Sequence, residues 1–424
     1  MRSLFLLSVI SAFAMHAPLA NAKGSAIFIH PDGMGANTWS AVRLLQVGPD
    51  GRLNWDKLPQ VAVYVGPLSD NVTQSSNGGA TTHAYGLRAQ DKSFGTLNGS
   101  PIEKALSGYP GSLMREAQAS GKAVGIVNSS TIAEPGSAAF LAQVNDRKNE
   151  AEIISQILAA KPDVIMGGGE QYYLPVGAKG RHGPGVRKDG RNLIKEAKAA
   201  GYTIVYTANE LAALPENKTR VLGIFASDQT FNEGTEAQLA KAGLPSFQPQ
   251  APRYDEMMRV AMRILKKSPE GYLLVGNEEG TDNLSGENNA MATLDAAAGA
   301  DRAIGIAMAE AESNPELTVI VASDSDNGGM NASGDDDLFN GQTLAATSEN
   351  GSPVDGAEGK PFVAAADARG LRLPFVVTWA STSDSSGGTV ARGVGPGAEL
   401  IRGTVDSTDI YRALYLGLFG KKPD

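Results

Sequence analysis

The chain has 424 residues and a formal net charge of −9, and this acidic balance argues against a nucleic-acid partner, which generally requires a basic face. It contains no cysteine, so disulfides and thiolate metal sites are excluded and any bound metal must have oxygen or imidazole ligands. The four histidines, His16, His30, His83 and His182, lie far apart in the sequence, which argues against an imidazole-rich site.

Residues 1–22 have the pattern of a secretory signal. A single early charge at Arg2 precedes an apolar run from Leu4 to Ala14, and the segment ends in the small residues Ala20-Asn21-Ala22. We therefore expect cleavage after this ending and a periplasmic or secreted mature protein. Neither this run nor any later one reaches the roughly 20 apolar residues of a membrane-spanning helix.

Short apolar runs alternate with longer amphipathic stretches along the rest of the chain. Such runs are typical of central strands in a mostly parallel sheet with helices on both faces, which predicts an α/β fold. The predicted strands are Ala26 to Ile29, Val61 to Val65, Val124 to Val127, Val164 to Met166, Ile204 to Tyr206, Leu222 to Phe225, Tyr272 to Val275, Thr318 to Ala322 and Phe375 to Trp379. The predicted helices are Ser112 to Ala119, Glu150 to Ala160, Arg191 to Ala200, Asp255 to Lys267 and Ala290 to Ser313.

Segment 331–364 is rich in Gly, Asp, Ser and Asn and shows little periodicity. This composition predicts an irregular insertion between two core strands. Because the chain has neither an internal repeat nor a low-complexity linker, we expect residues 23–424 to form a single domain.

Acidic residues follow three of the predicted strands: Asp32 after the first, Glu279 and Asp282 after Tyr272 to Val275, and Asp324 after Thr318 to Ala322. A single strand-end Asp is commonly an N-cap or a turn residue. Open parallel sheets, however, bind ligands beyond the carboxyl ends of their strands. Three acidic ends at one edge therefore predict a cluster of oxygen ligands, which hard divalent cations prefer.

The small-residue stretch from Ser75 to Thr82 predicts a loop that leads into a helix through Ala84. A hydroxyl at a helix start can attack phosphorus, while the helix N-terminus favours the anion. The alternative is a serine N-cap in a glycine-rich turn.

From about Ile27 to Leu418 the sequence resembles the alkaline phosphatase family. Asp32-Gly33-Met34-Gly35 is similar to the family's opening motif, whose Asp bridges two metal sites, and the resemblance implies that role for Asp32. Spacing from Gly86 aligns Ser76 with the family's nucleophile and Ser75 with the Asp that precedes it. Because that Asp is replaced, Thr81 and Ser75 stay open as alternative nucleophiles.

Two more residues take their roles from this resemblance. The segment Thr131 to Phe140 looks like the family segment that carries an acidic ligand of a magnesium-type site, and Glu134 aligns with that acid. The same spacing aligns Arg147 with the family's phosphate-binding arginine. A planar guanidinium can donate to two phosphate oxygens at once.

The zinc positions depart most from the family. Gly286, Ser325 and Asp384 stand where the family has zinc-binding histidines, and Asn277 stands where it has a magnesium-binding Glu, so that Glu278, Glu279 or Glu287 could contribute instead. Acids persist at or beside most metal positions. The implied metal ligands are Asp32, Glu134, Glu279, Asp282, Asp324, Asp326 and Asp384.

The resemblance implies an exported phosphomonoester hydrolase that acts through Ser76 and a phosphoserine intermediate, with Arg147 binding the phosphate. Carboxylate ligands favour Mg²⁺ or Ca²⁺ over Zn²⁺. We expect small-molecule phosphate esters as partners, no nucleic acid and no membrane span, and a homodimer is compatible with the family.

Several alternatives remain open at this stage. The same fold could belong to a catalytically silent phosphate- or metal-binding protein, or to an enzyme that acts on phosphodiesters, sulfate esters or phosphonates. A calcium-binding adhesion domain would explain the acidity and the export. It would not explain Ser76 and Arg147 at the family's spacing.

Overall fold

The computed structural model describes residues 23–335 and 337–423, so the predicted secretory signal lies outside the described residues. Within those ranges no helix has both the length and the hydropathy to cross a membrane. The strands are β1 (Ser25–Pro31), β2 (Gln60–Val65), β3 (Thr96–Leu97), β4 (Ser100–Pro101), β5 (Ala123–Thr131), β6 (Val164–Gly168), β7 (Thr203–Val205), β8 (Val221–Ile224), β9 (Tyr272–Glu278), β10 (Leu317–Val321), β11 (Asp326–Asn327), β12 (Met330–Ser333), β13 (Val354–Asp355), β14 (Phe362–Val363), β15 (Pro374–Trp379), β16 (Asp384–Ser385), β17 (Val390–Val394) and β18 (Arg402–Asp406). The α-helices are α1 (Ala36–Val47), α2 (Asn54–Lys57), α3 (Ser76–Tyr85), α4 (Leu113–Ala119), α5 (Pro135–Ala138), α6 (Glu150–Ala160), α7 (Leu193–Ala199), α8 (Ala208–Ala212), α9 (Glu236–Ala242), α10 (Tyr254–Leu265), α11 (Gly280–Gly286), α12 (Ala290–Ser313) and α13 (Ser407–Phe419).

In the described part of the chain, ten strands form one large sheet in the order β18-β2-β17-β10-β1-β9-β5-β6-β8-β7. All neighbours from β10 to β7 pair in parallel, whereas β17 runs antiparallel to both β10 and β2. Along each central strand, side chains alternate between the two faces. Phe28 joins a core that includes α3, α6 and α13, and Ile27 joins a second core that includes α1, α10 and α12. The predicted α/β fold, with helices on both faces, is confirmed.

The predicted strand Phe375 to Trp379 was placed wrongly. It exists as β15, but it pairs antiparallel with β12, β13 and β14 in a separate small sheet. The strands β17 and β18 of the large sheet were missed, because their sequences contain Arg, Gly and Thr in place of a continuous apolar run. These strands lie at and near one side of the sheet, where a fully apolar sequence is not needed.

The register of the central strands positions the candidate site. Ile29 of β1 pairs with Val321 of β10, and Pro31 pairs with Glu278 of β9. Because these parallel strands end at the same level, the segments that follow them emerge side by side. The three acidic strand ends therefore meet at one edge of the sheet.

Candidate functional site

The central feature of this edge is a buried group formed by His30, Asp32 and Asp324. The His30 Nδ1 atom lies 3.9 Å from Asp32 Oδ2, and His30 Nε2 lies 3.7 Å from Asp324 Oδ1. One ligand-type atom from each residue lies within 4.8 Å of the others. Burial, followed by the charges of Asp324, Glu279 and Asp282, holds the pKa of Asp32 well above its usual range. The predicted convergence of acids from three strands is therefore present.

Several polar atoms of this group lack a hydrogen-bond partner. Asp32 is 0% exposed, and in the described ranges neither of its carboxylate oxygens accepts a hydrogen bond. The same holds for Asp324 Oδ2 and His30 Nε2. Buried polar atoms are normally hydrogen-bonded, and an unpaired buried carboxylate is costly. The donor set therefore fits a bound cation.

A second layer of acids comes from the segments after β10 and β15. The short strands β11 and β16 pair Asn327 with Asp384, and Asn327 Nδ2 donates to Asp282 Oδ1 at 2.7 Å. Ser325 Oγ donates to Asp384 Oδ1 at 2.6 Å. Burial and the charge of Asp324 raise the pKa of Asp384 to about 6. Residue Asp384, which stands at a family histidine position, therefore lies within the same acidic field.

Asp282 lies in α11, after β9, and Asp326 lies in β11, after β10. Burial raises the pKa of Asp326 to about 6, and its Oδ1 atom has no hydrogen-bond partner among the described residues. Burial and then the charges of Asp384 and Asp324 hold the pKa of Asp282 well above its usual range. The charges of neighbouring acids therefore contribute to the raised pKa of Asp282, whereas burial alone raises that of Asp326.

Glu134 and Arg147 form an ion pair beside the acids. Arg147 Nη2 lies 2.5 Å from Glu134 Oε2. Burial lowers the pKa of Arg147, but Glu134, Glu279, Asp32 and Asp282 more than offset that effect and raise it. The negative charges of these four acids therefore stabilise the charged guanidinium.

Ser76 lies at the start of helix α3. Its neighbour Ser75 is the N-cap, with its hydroxyl accepting from Gly78 N at 3.3 Å and donating to Asp91 O at 2.7 Å. A Cβ atom added to Gly79 would lie 2.8 Å from Asp324 Cβ, so the first turn of α3 packs directly against this acid. Ser76 is 6% exposed, and its hydroxyl forms no hydrogen bond within the described residues.

The sequence analysis left Thr81 open as an alternative nucleophile and Glu278 and Glu287 as alternative metal ligands. Thr81 Oγ1 donates to Ser93 O and accepts from Gly95 N, both at 2.9 Å, so its hydroxyl is engaged on both sides. Glu278 Oε1 accepts from Ser129 Oγ at 2.5 Å, and burial raises the pKa of Glu278 to about 7. Glu287 lines a cleft of about 850 Å³ together with Trp379.

Sequence reasoning missed His30. The ring centroids of His30 and His83 lie 5.5 Å apart, although the two residues are distant in sequence. Burial, and then the charge of His30, lowers the pKa of His83 to about 3. The available signal was the spacing of His30 and Asp32, because alternate residues at a strand end project from the same face.

Comparisons with known proteins bear on the family and the fold of the chain. The family model for alkaline phosphatase matches residues 23–361. Alkaline phosphatase of Gadus morhua is 28% identical over 333 residues, which cover 69% of this chain and 66% of that protein. The tissue-nonspecific isozyme of Gallus gallus is 28% identical over 338 residues, which cover 71% of this chain and 63% of that protein. The matched region thus spans just under two thirds of these relatives.

The solved structure of alkaline phosphatase from the Antarctic bacterium TAB5 shares the fold. Its TM-score is 0.70 at 18% identity, and the match covers 94% of this chain and 99% of that one. A TAB5 variant with an Asp in place of a His was solved with Mg bound in its M3 site; it gives a TM-score of 0.67 at 18% identity and covers 93% of this chain and 97% of that one.

Proposed function

Because the chain belongs to the alkaline phosphatase family, we propose that it is a metal-dependent phosphomonoester hydrolase with Ser76 as its nucleophile. The observation that carries this proposal is the packing of α3 against Asp324, which brings a serine at a helix start beside buried acids that lack partners. A helix N-terminus favours an anionic group such as phosphate. The proposal thus joins a nucleophile, a phosphate-binding position and a cation-binding set.

The residues that would hold divalent ions are those at or beside the family's metal positions: Asp32, Glu134, Glu279, Asp282, Asp324, Asp326 and Asp384. Their carboxylates favour Mg²⁺ or Ca²⁺ over Zn²⁺. When bound, such ions would lower the pKa of a serine hydroxyl and stabilise charge on the leaving oxygen.

The chain's own residues supply the remaining steps. Ser76 Oγ gives up its proton and attacks the phosphorus, the bond from phosphorus to the ester oxygen breaks, and this oxygen takes up a proton so that it leaves as the alcohol. Arg147 would donate from two of its nitrogens to phosphate oxygens, in competition with Glu134, its present partner. Water then hydrolyses the phosphoserine and restores Ser76.

Export is part of the same proposal and rests on the predicted secretory signal. Small-molecule phosphate esters are the proposed substrates, in the periplasm or outside the cell, and the proposal is compatible with a homodimer. The rival function is a silent phosphate- or metal-binding protein. It is favoured by Ser75, which stands where the family has Asp and uses its hydroxyl in the helix cap.

The test is hydrolysis of an aryl phosphate by purified protein that has been stripped with chelator and then restored with one cation at a time. Restoration by Mg²⁺ or Ca²⁺ is expected. Restoration by Zn²⁺ alone would overturn the cation preference. Phosphate binding without turnover, under every cation, would establish the silent protein instead.

A further inference from the structure

The imidazole of His30 is the one nitrogen ligand that the described residues bring into the acid group with Asp32 and Asp324. His30 is fully buried, in the last part of β1, and its ring stacks 5.5 Å from Phe28. Its Nε2 atom lies 3.7 Å from Asp324 Oδ1. That separation is too long for a hydrogen bond. A fully buried nitrogen therefore faces a carboxylate without forming a bond to it.

The neighbouring amide fixes which ring nitrogen carries the proton. Asn277 Nδ2 donates to Glu279 Oε2 at 2.5 Å, so Asn277 Oδ1 is the atom that faces His30. This oxygen lies 2.6 Å from His30 Nδ1, which must therefore donate its hydrogen. Consequently the Nε2 atom of the neutral ring carries a lone pair. That lone pair is directed at the acid group and has no partner among the described residues.

The position of the amide is itself restrained. A Cβ atom added to Gly136 would lie 2.1 Å from Asn277 Oδ1, so the backbone of α5 closes against the amide. A metal-bound imidazole usually donates the N–H of its other ring nitrogen to a fixed acceptor, which sets the orientation of the ring. Asn277 supplies that acceptor here.

The separations suit a shared cation. Two ligands that bind one ion at about 2.0–2.2 Å each lie roughly 3–4 Å from one another. The Nε2 atom of His30 and the Oδ1 atom of Asp324 already have such a separation. A cation between them would also satisfy Asp324 Oδ2, which has no partner among the described residues, and a ligand-type oxygen of Asp32 lies within 4.8 Å of the ligand-type atoms of both residues.

We propose that His30 Nε2, Asp32 and Asp324 form a mixed imidazole and carboxylate site for a divalent transition ion, with Asn277 as the positioning residue. The proposal deepens the proposed function, on which it rests for the use of metal. The family alignment assigns no role to His30. Imidazole suits ions such as Zn²⁺ and Fe²⁺ better than Mg²⁺ or Ca²⁺, so this position would differ in cation preference from the purely acidic ones.

The experiment uses the full mature chain, stripped of metal and then saturated with Mn²⁺ as the probe, without substrate, so that the acidic positions and the His30 position are all occupied. Pulsed electron paramagnetic resonance reports whether a ¹⁴N nucleus is bound to the ion. We expect ¹⁴N coupling in the wild type and its loss in His30→Gln. The matched control is His83→Gln, which removes another fully buried imidazole whose Nε2 is 2.9 Å from Tyr64 Oη, and which should keep the coupling.

The role of Asn277 has its own readout. Asn277→Ala should weaken Zn²⁺ binding about 10–100-fold, measured by competition with a chromophoric chelator, while retaining the ¹⁴N coupling. Circular dichroism confirms that each variant is folded. Absence of coupling in the wild type, or its persistence in His30→Gln, would overturn the proposal.

Failure of this inference and failure of the proposed function give different results. A silent protein would show ¹⁴N coupling without hydrolysing an aryl phosphate. An active enzyme without the coupling would keep the proposed function and lose only the role of His30.

Discussion

Two buried aspartates of this molecule have opposite surroundings. Asp301, in α12, is 8% exposed and accepts hydrogen bonds from Asn54 N at 3.2 Å, Asn54 Nδ2 at 3.1 Å and Trp55 N at 2.9 Å. Asp32 is 0% exposed and accepts none from the described residues. The first carboxylate caps a helix and joins α2 to α12. Within the described part of the chain, the carboxylate of Asp32 forms no contact of this kind that would stabilise the fold.

This difference in hydrogen bonding distinguishes a carboxylate that stabilises the fold from one that belongs to the candidate site. Burying a carboxylate without donors costs several kcal/mol, and several acids in one place add mutual repulsion. The chain keeps such a group only where the rest of the fold offsets that cost. The large sheet, with apolar layers on both faces, does so around Asp32.

The largest expected effect concerns the two serines at the start of α3. Like the two aspartates, one belongs to the candidate site and the other stabilises the fold. Ser76→Ala should lower kcat for an aryl phosphate by at least about 10³-fold, because it removes the proposed nucleophile. Ser75→Ala should keep most of the activity and cost roughly 1 kcal/mol of stability, because Ser75 is the helix cap. Steady-state kinetics and chemical denaturation measure the two effects. Full activity in folded Ser76→Ala would remove the nucleophile assignment.

A second prediction exchanges the two aspartates for asparagine. Asp32→Asn should reduce activity by about 10²-fold or more and weaken metal binding, yet raise the melting temperature of the metal-free protein, because repulsion is relieved. Asp301→Asn should leave activity unchanged and cost about 1–3 kcal/mol, because an NH₂ group would face the donors of Asn54 or Trp55. Calorimetry and kinetics on both variants decide. If Asp32→Asn and Asp301→Asn lost the same stability, the proposed contrast between the two carboxylates would be wrong.

These contrasts show what the sequence could predict and what it could not. The boundaries of α6 and α12 were predicted to the residue, whereas α10, predicted as Asp255 to Lys267, begins one residue earlier and ends two residues earlier. Asp32 and Asp324 were found because they follow strongly apolar strands. The role of His30 was hidden, because its partners Asn277 and Asp324 come from other strands and only the sheet order brings them together.

The pairing of Arg147 with Glu134 shows the same limit. Spacing aligned each residue with a position of the family, but it did not indicate that the two side chains pair with each other. The misplaced β15 has a related cause. An apolar strand looks the same whether it joins a parallel sheet or a small antiparallel one, since burial alone sets its composition.

The smallest expected effect is a pH dependence of the metal-stripped protein. Burial and Asp324 raise the pKa of Asp384 from 3.8 to about 6, and burial raises that of Asp326 to about 6. Between these values the folded chain keeps protons that the unfolded chain releases, so stability is greatest at low pH and falls as pH rises from about 4 to 6. Asp324 has a lowered pKa, and its opposite contribution is complete by about pH 4. The lowered pKa values of the buried His30 and His83 also act in the opposite direction, up to about pH 6.5, and so reduce the decline without matching the larger number of acids with raised pKa values.

Melting temperatures measured in chelator should therefore decline across that interval, and further above it, because the pKa values of Asp32, Glu279 and Asp282 are raised still more. Asp384→Asn should flatten the decline between pH 4 and 6. Added Mg²⁺ should reverse it, because a bound cation favours the ionised acids. If the difference in melting temperature between the wild type and Asp384→Asn did not change with pH in chelator, burial and the charge of Asp324 would not raise the pKa of Asp384.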